Sequence, residues 1–105
     1  MKPTTKKVTQ LIRQAINQVD NSAEVILYGS RARGDEREGS DWDLLVLTDY
    51  PVNLEKEMEL RDPIYDLELE RGEAFSIFFY TKKDWSTKHN ITPFYESVTL
   101  EGIRL

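Results

Sequence analysis

Two short apolar runs, Val25-Ile26-Leu27-Tyr28 and Trp42-Asp43-Leu44-Leu45-Val46-Leu47, constrain this chain more than anything else in it. Each is too short for a buried helix and lacks polar alternation, which is the pattern of a strand buried on both faces. Each also stops against chemistry. The first ends at Gly29-Ser30, and the second holds an aspartate, Asp43, among tryptophan, leucine and valine. A charged carboxylate in such a run is costly unless something positive meets it.

The flanking sequence supplies the layers that bury these strands. Val8, Leu11, Ile12, Ala15, Ile16 and Val19 recur at helical spacing and predict an amphipathic helix, capped by Thr4 or Thr5 and closed by Asp20-Asn21-Ser22. Arg31 to Ser40, charged and carrying Gly34 and Gly39, reads as a turn of helix followed by loop. Asn53 is placed to cap a helix from Leu54, and Gly72 to end it. Pro63 lies inside that helix and is expected to kink it or restart it with Asp62 as the new cap. Residues 64–70 also alternate apolar and polar, so a strand is the alternative there. Phe75 to Tyr80 reads as a third strand and Asp84 to His89 as a short helix, which leaves His89 as an exposed helix-end residue. Thr92-Pro93 starts a last helix ending near Gly102, with Ile103 and Leu105 as an apolar tail. Strands separated by helices imply an α/β (α+β) domain with one small mixed sheet flanked by helices.

Composition sets the outer limits. A length of 105 residues suits one domain, taken as 1–105. The net charge of −5 disfavours an extended nucleic-acid surface, which needs clustered Lys and Arg. No stretch approaches the roughly 20 apolar residues of a membrane span. Met1 to Lys7 lacks the apolar core of a signal peptide, and cysteine is absent, so a cytoplasmic protein without membrane, disulfide or thiolate metal site is expected.

Alternating strand side chains put Asp41 and Asp43 on one face, with Cα atoms about 6.6 Å apart at the usual rise. Two carboxylates so placed repel unless a cation neutralises them. Mg²⁺ suits, taking one or two carboxylates together with substrate phosphates. The bland alternative is an Asp43 neutralised by Arg31 or Arg33. Gly29-Ser30 supplies the complement. Glycine lets backbone approach a ligand, N–H groups at a helix start attract phosphate, and the Ser30 hydroxyl adds a donor. Arg31 and Arg33 add charge-assisted contacts. Alone, Gly-Ser is an ordinary tight turn; its value here is its place beside the Asp pair at the ends of neighbouring strands.

Gly29-Ser30, ten residues, then Asp41-Trp42-Asp43 resembles the Gly-Ser-x10-Asp-x-Asp signature of the DNA polymerase β-like nucleotidyltransferase superfamily. The fuller run GSRARGDEREGSDWDLLVL is similar to that of the small minimal nucleotidyltransferases. The resemblance covers Val25 to Leu47 firmly and the rest in its order of elements. It implies a nucleotidyltransferase fold in which Gly29 and Ser30 hold the triphosphate of an NTP, ATP first. It implies that Asp41 and Asp43 bind two Mg²⁺ ions bridging the phosphates and an attacking hydroxyl. The reaction is then in-line displacement at the α-phosphorus with loss of pyrophosphate.

One departure is visible. The family usually adds a third carboxylate on the next strand, whereas Phe75 to Tyr80 has none; Ser76 stands near the place and Glu73 at the edge. Were 64–70 a strand, Asp66, Glu68 and Glu70 would share a face and one could serve. Without such a group the alternative is a catalytically weakened nucleotide- or partner-binding module. Minimal members that the chain resembles pair, as antitoxins, with a small helical partner of the HEPN type. Phe94, Tyr95, Ile103 and Leu105 offer either that contact surface or a simple apolar cap on the core.

Overall fold

The apolar runs assemble side by side. In the computed structural model, which describes residues 1–105, the elements are α1 (Pro3–Val19), β1 (Glu24–Tyr28), α2 (Ser30–Arg33), β2 (Trp42–Thr48), α3 (Leu54–Arg71), β3 (Phe75–Thr81), α4 (Lys82–Thr87), α5 (Pro93–Glu101) and β4 (Ile103–Arg104). The sheet runs β3-β2-β1-β4; β1 is antiparallel to β2 and β4, and β2 is parallel to β3. The parallel pair needs a long crossover, and α3 provides it.

Alternation along the strands gives the sheet two unlike faces. Val25, Leu27, Trp42, Leu44, Val46, Phe75 and Ile77 join Val8, Ile12, Ala15 and Ile16 of α1 and Leu60, Ile64 and Leu67 of α3 in the main core. On the opposite face Leu45 and Leu47 meet Trp85 of α4 and Val98 of α5, with Ile26, Tyr28, Tyr80, Phe94 and Tyr95 around them. Both faces of β2 are therefore covered, as its unbroken apolar run requires. Asp43 has the parity of Leu45 and Leu47, which assigns it to the α4–α5 side.

Several sequence expectations change in detail. Thr4 and Thr5 lie inside α1, because Lys2 takes the cap position and Pro3 the first turn, where its missing N–H costs nothing. The helix closes at Asp20 as expected. Pro63 does not restart α3, nor does Asp62 cap it: one helix runs from Asn53, whose side chain accepts from the Lys56 N–H at 2.8 Å, to left-handed Gly72. Its core contacts through Leu60, Ile64 and Leu67 outweigh the hydrogen bond that proline cannot donate. Residues 64–70 are thus helix. The short helix α4 starts earlier than expected, at Lys82, where the Thr81 hydroxyl accepts from the Asp84 N–H at 2.9 Å. His89 follows its end and is half-buried against Tyr80, with ring centroids 4.3 Å apart. The apolar tail is a strand, and Ile103 pairs with Leu27.

Helix α3 has a second apolar stripe. Leu54, Met58, Tyr65 and Leu69 recur on one side of it, each 55–73% exposed. The two stripes predict opposite mutational outcomes. Leu60→Ala, at 0% exposure, should cost about 3 kcal/mol in urea unfolding. Leu69→Ala should stay within about 0.5 kcal/mol. Similar losses at both positions would mean that the outer stripe is already covered within the chain.

Candidate nucleotide and metal site

The register between β1 and β2 sets Tyr28 opposite Asp43, so the chain leaves β1 directly against that carboxylate. Gly29 takes φ 75° and ψ −159°, a region essentially reserved for glycine. A Cβ there would collide with Asp43 Oδ2 and lie 3.1 Å from its Cγ. Glycine thus serves twice, for the backbone turn and for the close approach of the acid. Its carbonyl accepts from the N–H groups of Ala32 and Arg33 at 3.1 and 3.0 Å, which starts α2 at Ser30. The Ser30 and Arg31 N–H groups lie in that first turn, where a helix has no carbonyl to offer them.

No arginine closes on the Asp pair. Asp41, exposed, and Asp43, half-buried, take part in none of the ion pairs of the chain. Burial first, then the charge of Asp41, push the Asp43 carboxyl above its usual range; Arg33 pulls it down and Glu101 adds to the rise. Burial and the charge of Asp43 likewise push the Tyr28 phenol to about 12. Uncompensated negative charge at two oxygen-donor groups fits a hard divalent cation that draws its other ligands from phosphate and water. No third acid or histidine joins them closely enough to make a three-residue cage.

The two arginines divide. Arg31 is buried; its Nη2 donates to the Ser40 carbonyl at 3.0 Å and to Glu73 Oε2 at 2.9 Å, and its guanidinium lies 4.3 Å from the Trp42 ring. These contacts pin the end of the 34–40 loop just before Asp41. Arg33 is half-exposed and binds Asp35 Oδ2 at 3.1 Å and Glu101 Oε2 at 3.0 Å.

None of the expected third carboxylates reaches the pair. Asp66, Glu68 and Glu70 are carried by α3, on the opposite side of the sheet from Asp43. Burial would raise the Glu73 carboxyl, but hydrogen bonding to Arg71 and the charges of Arg71 and Arg31 hold it below the usual range. Opposite Asp43 on β3 stands Ser76. The acid that does approach is Glu101, at the end of α5, whose Oε1 accepts from the Gly29 N–H at 3.2 Å. Nothing in the local sequence announces it, because the contact spans 72 positions. Phe94 packs edge-on against Tyr28 and Phe78, and Leu105 rests on the main core, so both are internal contacts rather than a free surface. The corner is an open ledge, and no surface cleft is lined by Gly29, Asp41 or Asp43.

The mixed sheet flanked by helices has the fold of the nucleotidyltransferases, and its glycine corner touches a strand aspartate. The family described as Polymerase beta, Nucleotidyltransferase matches residues 10–97, and the chain belongs to it. Among solved structures it is similar to a toxin–antitoxin crystallised with AMP-PNP (TM-score 0.60, 18% identity, 95% of this chain and 70% of that one). It is also similar to a mutant toxin–antitoxin MntA–HpeT (TM-score 0.57, 19% identity, 95% and 69%). No curated protein matches the sequence. No helix is long and apolar enough to cross a membrane.

Two substitutions probe the corner. Gly29→Ala combines the backbone penalty with displacement of Asp43 and should cost about 2–4 kcal/mol, read by urea unfolding. Asp43→Asn should do the reverse. A carboxyl whose folded pKa is raised destabilises the fold above that pKa, and the penalty fades as pH falls through it. At pH 7 without metal, the variant should melt about 2–4 °C above wild type, allowing for partial solvent screening, with the gap closing in acid. A lower melting temperature for Asp43→Asn at neutral pH would contradict this account of the charge.

Proposed function

We propose that the protein is a Mg²⁺-dependent nucleotidyltransferase that moves a nucleoside monophosphate from an NTP, ATP first, to a hydroxyl on a small helical partner. The observation that carries this reading is the contact between Gly29 and an Asp43 carboxylate that forms no ion pair within the protein. Asp41 and Asp43 would hold the metal, two ions in the full form. The Gly29 and Ser30 N–H groups, the Ser30 hydroxyl and Arg33 would hold the phosphates. Arg31 acts in this reading by positioning the loop before Asp41, and its contacts with Glu73 and Ser40 leave it little freedom to reach a ligand directly. Bound metal supplies charge stabilisation for the entering and leaving oxygens. The acceptor hydroxyl gives its proton to water, its oxygen bonds to the α-phosphorus, the bond to the bridging oxygen breaks, and pyrophosphate departs with the electron pair.

The open ledge leaves the acceptor side to another molecule. The outer stripe of α3 supports a protein partner, since Leu54, Met58, Tyr65 and Leu69 are uncovered. Seven acids against three bases on the same helix favour a basic partner such as a HEPN-type helical protein, with both proteins in the cytoplasm. Toxin–antitoxin systems among the similar structures are in keeping with such a pairing.

Ser76 opposite Asp43 favours a second reading, a nucleotide- or partner-binding module with weakened catalysis. The two readings separate in one pair of measurements. At a hundredfold excess over Kd, Mg²⁺-ATP should add about 2.7 kcal/mol of stability, lost in the double variant Asp41→Asn/Asp43→Asn. No Mg²⁺-dependent stabilisation by any of the four nucleotides would defeat both readings. Label transferred from α-labelled ATP to the partner selects the enzyme; binding without transfer selects the module.

A further inference from the structure

Glu101 occupies the position that the nucleotide reading gives to phosphate. One of its carboxylate oxygens accepts from the Gly29 N–H at 3.2 Å, and the other accepts from Arg33 Nη1 at 3.0 Å. A backbone amide beside a guanidinium is an anion seat, and a carboxylate spanning both presents the same pair of acceptor oxygens as a phosphate. The arrangement is not a by-product of a mobile end. The Gly102 N–H donates to the Val98 carbonyl at 2.7 Å, and a Cβ on Gly102 would meet that carbonyl and Ile26. Ile103 and Arg104 then pair with Leu27 and Ile26 of β1. The main chain around Glu101 is held, so only its side chain is free to swing.

The surrounding charges explain why the carboxylate rests there and why it can leave. Asp43 stands nearby, and the charge of Glu101 adds to the rise of the Asp43 carboxyl, so the two like charges repel. Its attachment is an ion pair with a half-exposed arginine and one amide hydrogen bond, and partly exposed pairs of this kind hold weakly. A polyanion accompanied by a divalent cation brings more charge to Gly29 and Arg33 than one carboxylate does, and it also neutralises Asp43.

We propose that Glu101 is an internal anion that fills the phosphate seat of the resting protein and is displaced, by side-chain rotation alone, when a nucleotide phosphate binds. The inference rests on the nucleotide reading above. Its consequence is general: every ligand that puts a phosphate on Gly29 and Arg33 is weakened by the same factor, and a ligand without phosphate is untouched.

Calorimetric titration of the full chain tests this with Mg²⁺ and the α,β-methylene analogue of ATP, which cannot lose pyrophosphate. Glu101→Gln keeps an acceptor for the Gly29 N–H but removes the charge, and it should bind the analogue about three- to tenfold more tightly than wild type. Glu101→Ala should show at least the same gain, with a normal melting transition as the check on folding. Glu96→Gln, in the first turn of the same helix, removes an equal charge away from the seat and should leave affinity unchanged. Equal affinity in wild type and Glu101→Gln overturns the inference while leaving the nucleotide reading intact. Weaker binding overturns it too, and would make Glu101 a ligand of the metal–nucleotide complex. Equal gains in Glu96→Gln and Glu101→Gln would reduce the effect to net charge and likewise overturn it. Binding by none of the proteins removes the nucleotide reading itself, and the inference with it.

Discussion

The contact between an α-carbon without a side chain and a carboxylate at the strand end governs the rest of this structure. It requires the pairing of Tyr28 with Asp43, and that pairing requires one register of β1 on β2. A slip by one residue would turn Asp43 into the core in place of Trp42 and Leu44, where neither burial nor charge could be met. The apolar residues on both sides of β2 forbid that slip, because Leu45 and Leu47 have their own partners in α4 and α5. The site and the core are therefore fixed by the same alternation. The geometry of the corner is one that the hydrophobic effect has already set.

The electrostatics of the corner run against stability. Asp41, Asp43 and Glu101 bring three carboxylates to one ledge with a single half-exposed arginine between them. Proteins that merely need to fold satisfy such groups; Arg31 and Glu73 do so with an ion pair stacked on Trp42. The contrast between the two clusters separates their roles. One is closed upon itself and holds the loop in place, whereas the other is left short of positive charge, the usual mark of a place where a ligand completes the balance.

Much of this was legible in the sequence because it is local. The two apolar runs, the glycine corner, the Asn53 cap and the Gly72 stop are each read from a few adjacent residues, and the strands and helix ends stand where those residues put them. The Asp pair was legible as an anomaly within a run. What escaped depends on distant chain. Pro63 is tolerated because the face of α3 beneath it is anchored in the core, which local propensity does not register. The tail becomes a strand because β1 has a free edge. Arg31 reads locally as a phosphate ligand, whereas its buried engagement with Glu73 spans 42 positions. Glu101 lies farther still, and no spacing rule links the end of α5 to a turn after β1.

The outer stripe of α3 places apolar groups and acids on one helix, and this affects how copies of the molecule meet. Two chains approaching stripe to stripe would bring together two helices that each carry seven acids against three bases, with charges able to meet inside the ~8 Å over which physiological salt screens them. Like-charge repulsion thus keeps identical surfaces apart although their greasy seams would otherwise stick. That protection is ionic, so it erodes as electrolyte is added, and this acidic molecule grows stickier in brine, contrary to the familiar salting-in of proteins held together by charge.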